Sequence, residues 1–378
     1  MRALISAALL CAVLAGQAEA STYSTFNAGI AAANRGDIDQ SIQLLTAAIA
    51  APDLSPQLLP TAYFLRGDLY AIKNQCDQAI ADFSAGLKLE PDEFAAHLDR
   101  ASCYAYENKI DQALSDMTSA ITARPDLAKG YASRGVEYVV LGKFDSAIAD
   151  FTSAAAIAPY DYGILQSRGG AYLGEAMYDQ ALADENKAID LNSNYWPSYY
   201  TRGMIYDDLG KFNDALNEYK HVLDLSPDNV AASQSIGLTQ WEIGRFDEAE
   251  KIFADSIKSQ PQNIYLTLWL DFARAKAAKP DDDLAQRAAK LDLTKWPGPL
   301  VNVFLGKITP DQAFQAAAIG TASVAHNHKC DADFYVGEWR LQHQNSAAAK
   351  PLLADAAAGC RNDSWEWRGA NTELKRLP

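Results

Sequence analysis

The chain is 378 residues long and carries 48 acidic against 33 basic side chains, a formal net charge of -15. An acidic excess of that size repels phosphate and anionic lipid, which excludes nucleic-acid binding and adhesion to an acidic membrane as its main task. Apolar residues make up 49% and aromatics 10%, enough for a packed core and too much for a disordered chain.

Residues 1–20 read as a signal peptide. Met1 and Arg2 precede an apolar run from Leu4 to Leu14, and Ala18-Glu19-Ala20 places small residues three and one before a cut. The run is shorter than the roughly 20 residues a spanning helix needs, and no later segment reaches that length without charges. The expected product starts near Ser21, periplasmic and without a membrane span. No lipid anchor is expected, because Gln17 follows Leu14-Ala15-Gly16 where a lipidated cysteine would stand, and Cys11 lies inside the apolar run.

Residues 21–59 read as a divergent helical hairpin with small residues at Gly29, Ser41 and Ala48, followed by a linker from Pro52 to Leu59. This hairpin is a candidate for pairing with a second copy of the chain. From 60 to 263 a strict repeat takes over. Gly67, Ala101, Gly135, Gly169, Gly203 and Gly237 stand 34 residues apart, and Ala79, Ala113, Ala147, Ala181, Ala215 and Ala249 follow twelve residues later in each repeat. Prolines close five of the six at Pro91, Pro125, Pro159, Pro227 and Pro261. Two antiparallel helices approach closely only where side chains are small, so these columns mark helix crossings. Tyr70, Tyr104, Tyr138, Tyr172 and Tyr206, with Phe83, Met117, Phe151, Tyr219 and Phe253, fill the space between them.

A period of 34 residues is that of the tetratricopeptide repeat. The expected fold is all-α: a solenoid of tetratricopeptide helical hairpins in a right-handed superhelix, with divergent C-terminal helical repeats and a capping helix. Each hairpin leaves one face bare until the next stacks on it.

A column of arginines, Arg66, Arg100, Arg134, Arg168 and Arg202, is matched sixteen residues on by Asp82, Asp116, Asp150, Asp184 and Glu218. That spacing spans from the middle of one helix to the middle of the next, so each Arg is expected to pair with its own hairpin's carboxylate. The competing reading is a basic ladder for an acidic ligand. The faces of the first helices supply the candidate partner-binding surface: Phe64, Leu98, Tyr106, Val136, Val140, Tyr200, Met204, Asp207, Asp208, Trp241 and Glu242. It is apolar in the middle, acidic toward the C-terminal repeats, and lacks a Lys/Arg clamp for a C-terminal carboxylate. It suits an amphipathic helix or an extended segment.

Residues 264–329 read as a divergent helical region interrupted by the turn Trp296-Pro297-Gly298-Pro299, with helices at Leu300–Leu305 and Thr309–Ala318 and a looser stretch from Gly320 to Lys329. Residues 330–378 read as a terminal repeat, with Gly337, Ala349 and Ala356 in register, and a capping helix. Beyond the leader, Cys76, Cys103, Cys330 and Cys360 allow three pairings. Nearness in sequence and repeat position favour Cys76 with Cys103 and Cys330 with Cys360.

His326, His328 and Cys330 could be proposed as metal donors, but no second ligand pair stands at a suitable distance, so a polar loop is the reading adopted. No nucleophile elbow, phosphate loop or zinc-protease helix is present. Neither a catalytic residue nor a metal or cofactor is expected. The stretch from Trp296 to Thr309, followed by Asp333-Phe334-Tyr335-Val336-Gly337-Glu338-Trp339, resembles the C-terminal part of the NlpI-like tetratricopeptide proteins of the bacterial envelope. That resemblance implies a periplasmic adaptor that brings a C-terminal processing protease together with peptidoglycan hydrolases. A chaperone-like binder of exported or secreted subunits is the second reading, and a metal-dependent hydrolase the third.

Overall fold

The computed structural model describes residues 21–279, 283–361 and 364–377. The signal peptide expected at 1–20 lies outside them. Among the described residues every regular element is a helix. In chain order these are α1 (residues 21–34), α2 (Ile38–Ala50), α3 (Leu59–Ile72), α4 (Cys76–Leu89), α5 (Phe94–Tyr106), α6 (Ile110–Ala123), α7 (Ala128–Val140), α8 (Phe144–Ile157) and α9 (Tyr162–Gly174). There follow α10 (Tyr178–Leu191), α11 (Trp196–Asp208), α12 (Phe212–Leu225), α13 (Val230–Glu242), α14 (Phe246–Ser259), α15 (Ile264–Lys276), α16 (Leu284–Ala288), α17 (Gly298–Phe304), α18 (Pro310–Ala317), α19 (Ala322–Gln342), α20 (Ser346–Gly359) and α21 (Trp365–Arg376). Two compact units divide the chain after Glu175, so the first contains α1–α9 and the second α10–α21. No helix of the described residues is long and apolar enough to cross a membrane.

The spacing of apolar residues explains the individual helices. In α6, Ala113, Met117 and Ala120 recur at four and three residues and are buried, while Asp111 in the first turn meets the positive end of the helix. What ends the first helices is a left-handed residue in the turn. Asn74, Asn108, Gly142, Gly210 and Gly244 all have positive φ. The next backbone N–H reaches back five residues, as from Lys143 to the Tyr138 carbonyl and from Lys211 to the Tyr206 carbonyl, each 2.8 Å. This closes the helix on its own last carbonyls and reverses the chain. Gly142, at φ 67°, takes that conformation without the strain a side chain would bring.

Within a hairpin, the glycine column carries the aromatic column. A Cβ added at Gly67 would sit 2.9 Å from the Phe83 ring, at Gly135 2.9 Å from Phe151, at Gly203 2.6 Å from Tyr219 and at Gly237 2.8 Å from Phe253. Where alanine replaces glycine at buried Ala101, the slimmer Met117 replaces the ring. The core therefore runs through each unit as linked small clusters, such as Cys76, Ala79, Phe83 and Leu87 in the first. The second unit ends in a larger cluster, in which Trp241, Phe253, Trp269, Phe272, Phe334 and Tyr335 pack with Trp365 at its edge.

The C-terminal region departs from the expected boundaries at α17, which begins at Gly298 inside the expected turn, and more widely before Cys330. The looser stretch before Cys330 is helical from Ala322, so that α19 is 21 residues long rather than beginning at the cysteine. Thr321 starts it by accepting a hydrogen bond from the Val324 N–H, and the Trp296 and His328 rings stack with centroids 4.6 Å apart along it. A disulfide joins Cys330 on α19 to Cys360 just beyond α20, with Cα atoms 5.2 Å apart.

Candidate protein-binding surface

The arginine column is used inside the repeats. Arg66 donates two hydrogen bonds of 2.7 Å to Asp82, Arg100 two of 2.7 Å to Asp116, Arg134 two of 2.8 Å to Asp150, and Arg202 two of 2.9 Å to Glu218. The remaining arm reaches the preceding hairpin, at Thr46 from Arg66, Ser84 from Arg100, Thr118 from Arg134, Thr152 from Arg168 and Asn186 from Arg202. Burial raises the Asp116 carboxyl, but hydrogen bonds from Arg100 and His97 outweigh it and hold the group below its ordinary range. These guanidinium groups tie helix to helix, and each also lies about 6 Å from a tyrosine ring, as Arg100 does over Tyr104. Asp184 has interactions of its own.

The candidate groove residues separate into two groups. In the first unit, Tyr106 is 71% exposed, Val136 51% and Val140 73%, all on first helices. Ile72, which the candidate set omitted, is 64% exposed and stands 34 residues before Tyr106 in the same column as Val140. Phe64 is half-buried against the place where a Gly86 Cβ would lie, and Leu98 is buried in the core. The open surface is therefore narrower than the candidate set and is a stripe of Ile72, Tyr106, Val136 and Val140.

In the second unit most of the candidate groove is already filled, and the expectation that Asp207, Trp241 and Glu242 face a partner is corrected. Helix α21 lies on them. Arg368 pairs with Asp207 at 2.9 Å and with Glu242. Asp207 also accepts from the Tyr219 hydroxyl at 2.8 Å and from Thr239 at 3.0 Å, and burial pushes its carboxyl up to about 6 even with Arg368 beside it. Arg376 donates to the Trp241 and Glu242 carbonyls at the end of α13, at 2.7 and 3.0 Å, and the Trp241 carbonyl also accepts from the Gly244 N–H at 3.0 Å. Its guanidinium stands 4.6 Å from the Trp241 ring, which is 0% exposed. Lys276 completes the seat, donating to Glu373 at 2.6 Å. Gly369 brings the cap this close, since a Cβ there would be 2.5 Å from the Phe334 ring. Tyr200 and Met204 pack in the core beside Tyr219, and the Tyr200 hydroxyl is 3.1 Å from Ser235, whereas Asp208 is exposed.

The cysteines divide the same way. Cys330 and Cys360 are bonded, but Cys76 and Cys103 are free buried thiols, so the second expected bond is not formed. Burial, and then a hydrogen bond with Cys76, push the Cys103 thiol up to about 12. So little of it is thiolate at neutral pH that it is a poor nucleophile for disulfide exchange. Among the described residues, no group of three or more His, Cys, Asp or Glu side chains is arranged to hold a metal ion. The capping helix expected at the C-terminus is present as α21, but its seat on Asp207, Trp241 and Glu242 was not expected.

Two family models, both described as tetratricopeptide repeat, match residues 64–128 and 208–268. The repeats are tetratricopeptide repeats. A tetratricopeptide repeat protein from Parabacteroides merdae ATCC 43184 is similar in fold at a TM-score of 0.56 and 18% identity, over 67% of this chain and 98% of its own. YrrB, described as having an unusual peptide-binding site, aligns at 19% identity and a TM-score of 0.42 over 50% of this chain and 95% of its own. MamA aligns at 19% identity and 0.42 over 46% and 96%. No curated protein sequence matches the chain. Tetratricopeptide folds bind protein partners, and the chain is accordingly a protein–protein interaction scaffold.

Proposed function

We propose that this scaffold is a periplasmic adaptor that docks partner proteins on the first-helix face of its first unit. The observation that carries the reading is the stripe Ile72, Tyr106 and Val140, large apolar side chains left in solvent at the same position of three successive repeats. Scattered exposed apolar residues are ordinary, but an aligned row is the mark of a contact surface. Export is supported by the reading of residues 1–20, and the Cys330–Cys360 bond fits an oxidising compartment. The resemblance of residues 296–309 and 333–339 to the NlpI-like proteins supports a C-terminal processing protease and a peptidoglycan hydrolase as the partners brought together.

Affinity capture from an envelope extract, comparing the wild-type chain with a Tyr106→Asp/Val140→Asp variant, tests the reading. A protease or wall hydrolase recovered by the wild type and lost by the variant is the expected result. Prey dominated by unfolded exported clients would favour a chaperone, and prey indifferent to the substitutions would overturn the docking face.

A further inference from the structure

The exposed stripe of the first unit has an acidic neighbour. Between α3 and α5 lies a depression of about 410 Å³ whose walls include Asp68, Ile72, Asp99 and Tyr106. Burial, and then the charge of Asp99, push the Asp68 carboxyl up to about 6. Asp99 is raised by burial, with Lys129 opposing. Neither carboxylate has a hydrogen bond or close ion pair among the described residues. Two half-buried carboxylates, one of them raised by the charge of the other, form a seat in which an incoming cation relieves an existing penalty.

The second unit provides an internal precedent for what fills such a face. There the first-helix residues Asp207, Trp241 and Glu242 receive Arg368 and Arg376 from α21, an amphipathic helix. The dimensions of the first unit suit the same kind of guest. Packed helices stand about 8–10 Å apart, and seven residues of a helix rise about 10 Å, so a guest ridge at i, i+7 and i+14 keeps step with Ile72, Tyr106 and Val140.

We propose that the first-helix face of α3, α5 and α7 binds a basic amphipathic helix of a partner protein, with its apolar ridge along Ile72, Tyr106 and Val140 and a Lys or Arg on Asp68 and Asp99. The proposal rests on the protein-docking reading above and adds the chemistry of the partner. Recognition is the reverse of a carboxylate clamp: the scaffold supplies the negative charge and the guest the positive.

Fluorescence anisotropy on the full chain tests it, with two labelled 18-residue helical peptides of identical pattern, one of Leu and Lys and one of Leu and Glu. The Leu/Lys peptide is expected to bind and the Leu/Glu peptide to bind at least tenfold more weakly. Because the whole chain is acidic, the deciding comparison is between Asp68→Asn/Asp99→Asn and the surface control Glu90→Gln/Asp92→Asn, which changes the net charge equally. The first pair is expected to weaken the Leu/Lys peptide at least tenfold, the control less than twofold, with circular dichroism unchanged in both. Equal losses in the two, or no loss in the first, overturn the proposal. Partner capture that is lost with Tyr106→Asp/Val140→Asp yet survives Asp68→Asn/Asp99→Asn leaves protein docking standing and removes the basic helix.

Discussion

The two units are built from one repeat and treat the same face in opposite ways. In the first, Ile72, Tyr106 and Val140 stand in solvent, and the charge of Asp99 presses on Asp68, which has no cation paired with it among the described residues. In the second, Asp207, Trp241 and Glu242 lie beneath α21, their charges met by Arg368 and their carbonyls by Arg376. A tetratricopeptide face is thus neither core nor interface by position in the repeat. Its role depends on whether the rest of the chain brings something to cover it.

Removing the cover's main contact gives the largest expected effect. Arg368→Ala leaves Asp207 and Glu242 buried without their counter-ion, a loss of about 3–5 kcal/mol typical of a broken buried pair. Thermal unfolding should fall steeply, while Asp68→Asn in the first unit leaves the melting temperature unchanged or raised. Next comes the staple of the terminal hairpin. Cys330→Ser/Cys360→Ser should lose about 2–4 kcal/mol, and a reductant should reproduce the loss in the wild type while leaving the Cys76/Cys103 region unaffected. Hydrogen exchange resolved by segment distinguishes the two regions.

A pH dependence sharpens the contrast further. Glu185 on α10 is fully buried, and burial pushes its carboxyl up to about 9, with Ser198 beside it. A carboxyl raised in the fold binds a proton that the unfolded chain releases above about pH 4.5, so its contribution falls as pH rises from there toward 9. Glu185→Gln should therefore be more stable than the wild type at pH 7.5 and lose that advantage near pH 4, measured by denaturant titration at both. The smallest pair tests the packing common to both units. Gly135→Ala pushes a methyl into the Phe151 ring and should cost about 1–3 kcal/mol. Gly170→Ala meets nothing within 4 Å and should stabilise α9 by about 0.5–1 kcal/mol.

The hairpins were legible because their determinants are local. A glycine and the ring that lies on it are sixteen residues apart, as Gly135 and Phe151 are, and the pattern recurs often enough to be read without coordinates. The arginine and carboxylate columns share that reach. The covered face was not legible, because Arg368 meets Glu242 across 126 residues and nothing in the repeat itself says where a distant helix will settle. A tryptophan at position 241 reads equally well as a groove aromatic and as a core one. Ile72 went unmarked although its column was recognised at Tyr106 and Val140, which is a failure to extend a period rather than a missing signal. Nearness in sequence and repeat position favour a Cys76–Cys103 bond, but neither says whether the two sulfurs are joined, and here they are free.

The rings seated on glycines also decide where these units can bend. Phe83 on Gly67 and Phe151 on Gly135, like Tyr219 on Gly203 and Phe253 on Gly237, act as pegs that stop the paired helices from sliding lengthwise. Each hairpin then behaves as a stiff plate, and any elastic give must be taken up by slight tilts at the joints between plates. A guest that spans several plates would feel a surface able to adjust its pitch in small steps while every plate keeps its own shape.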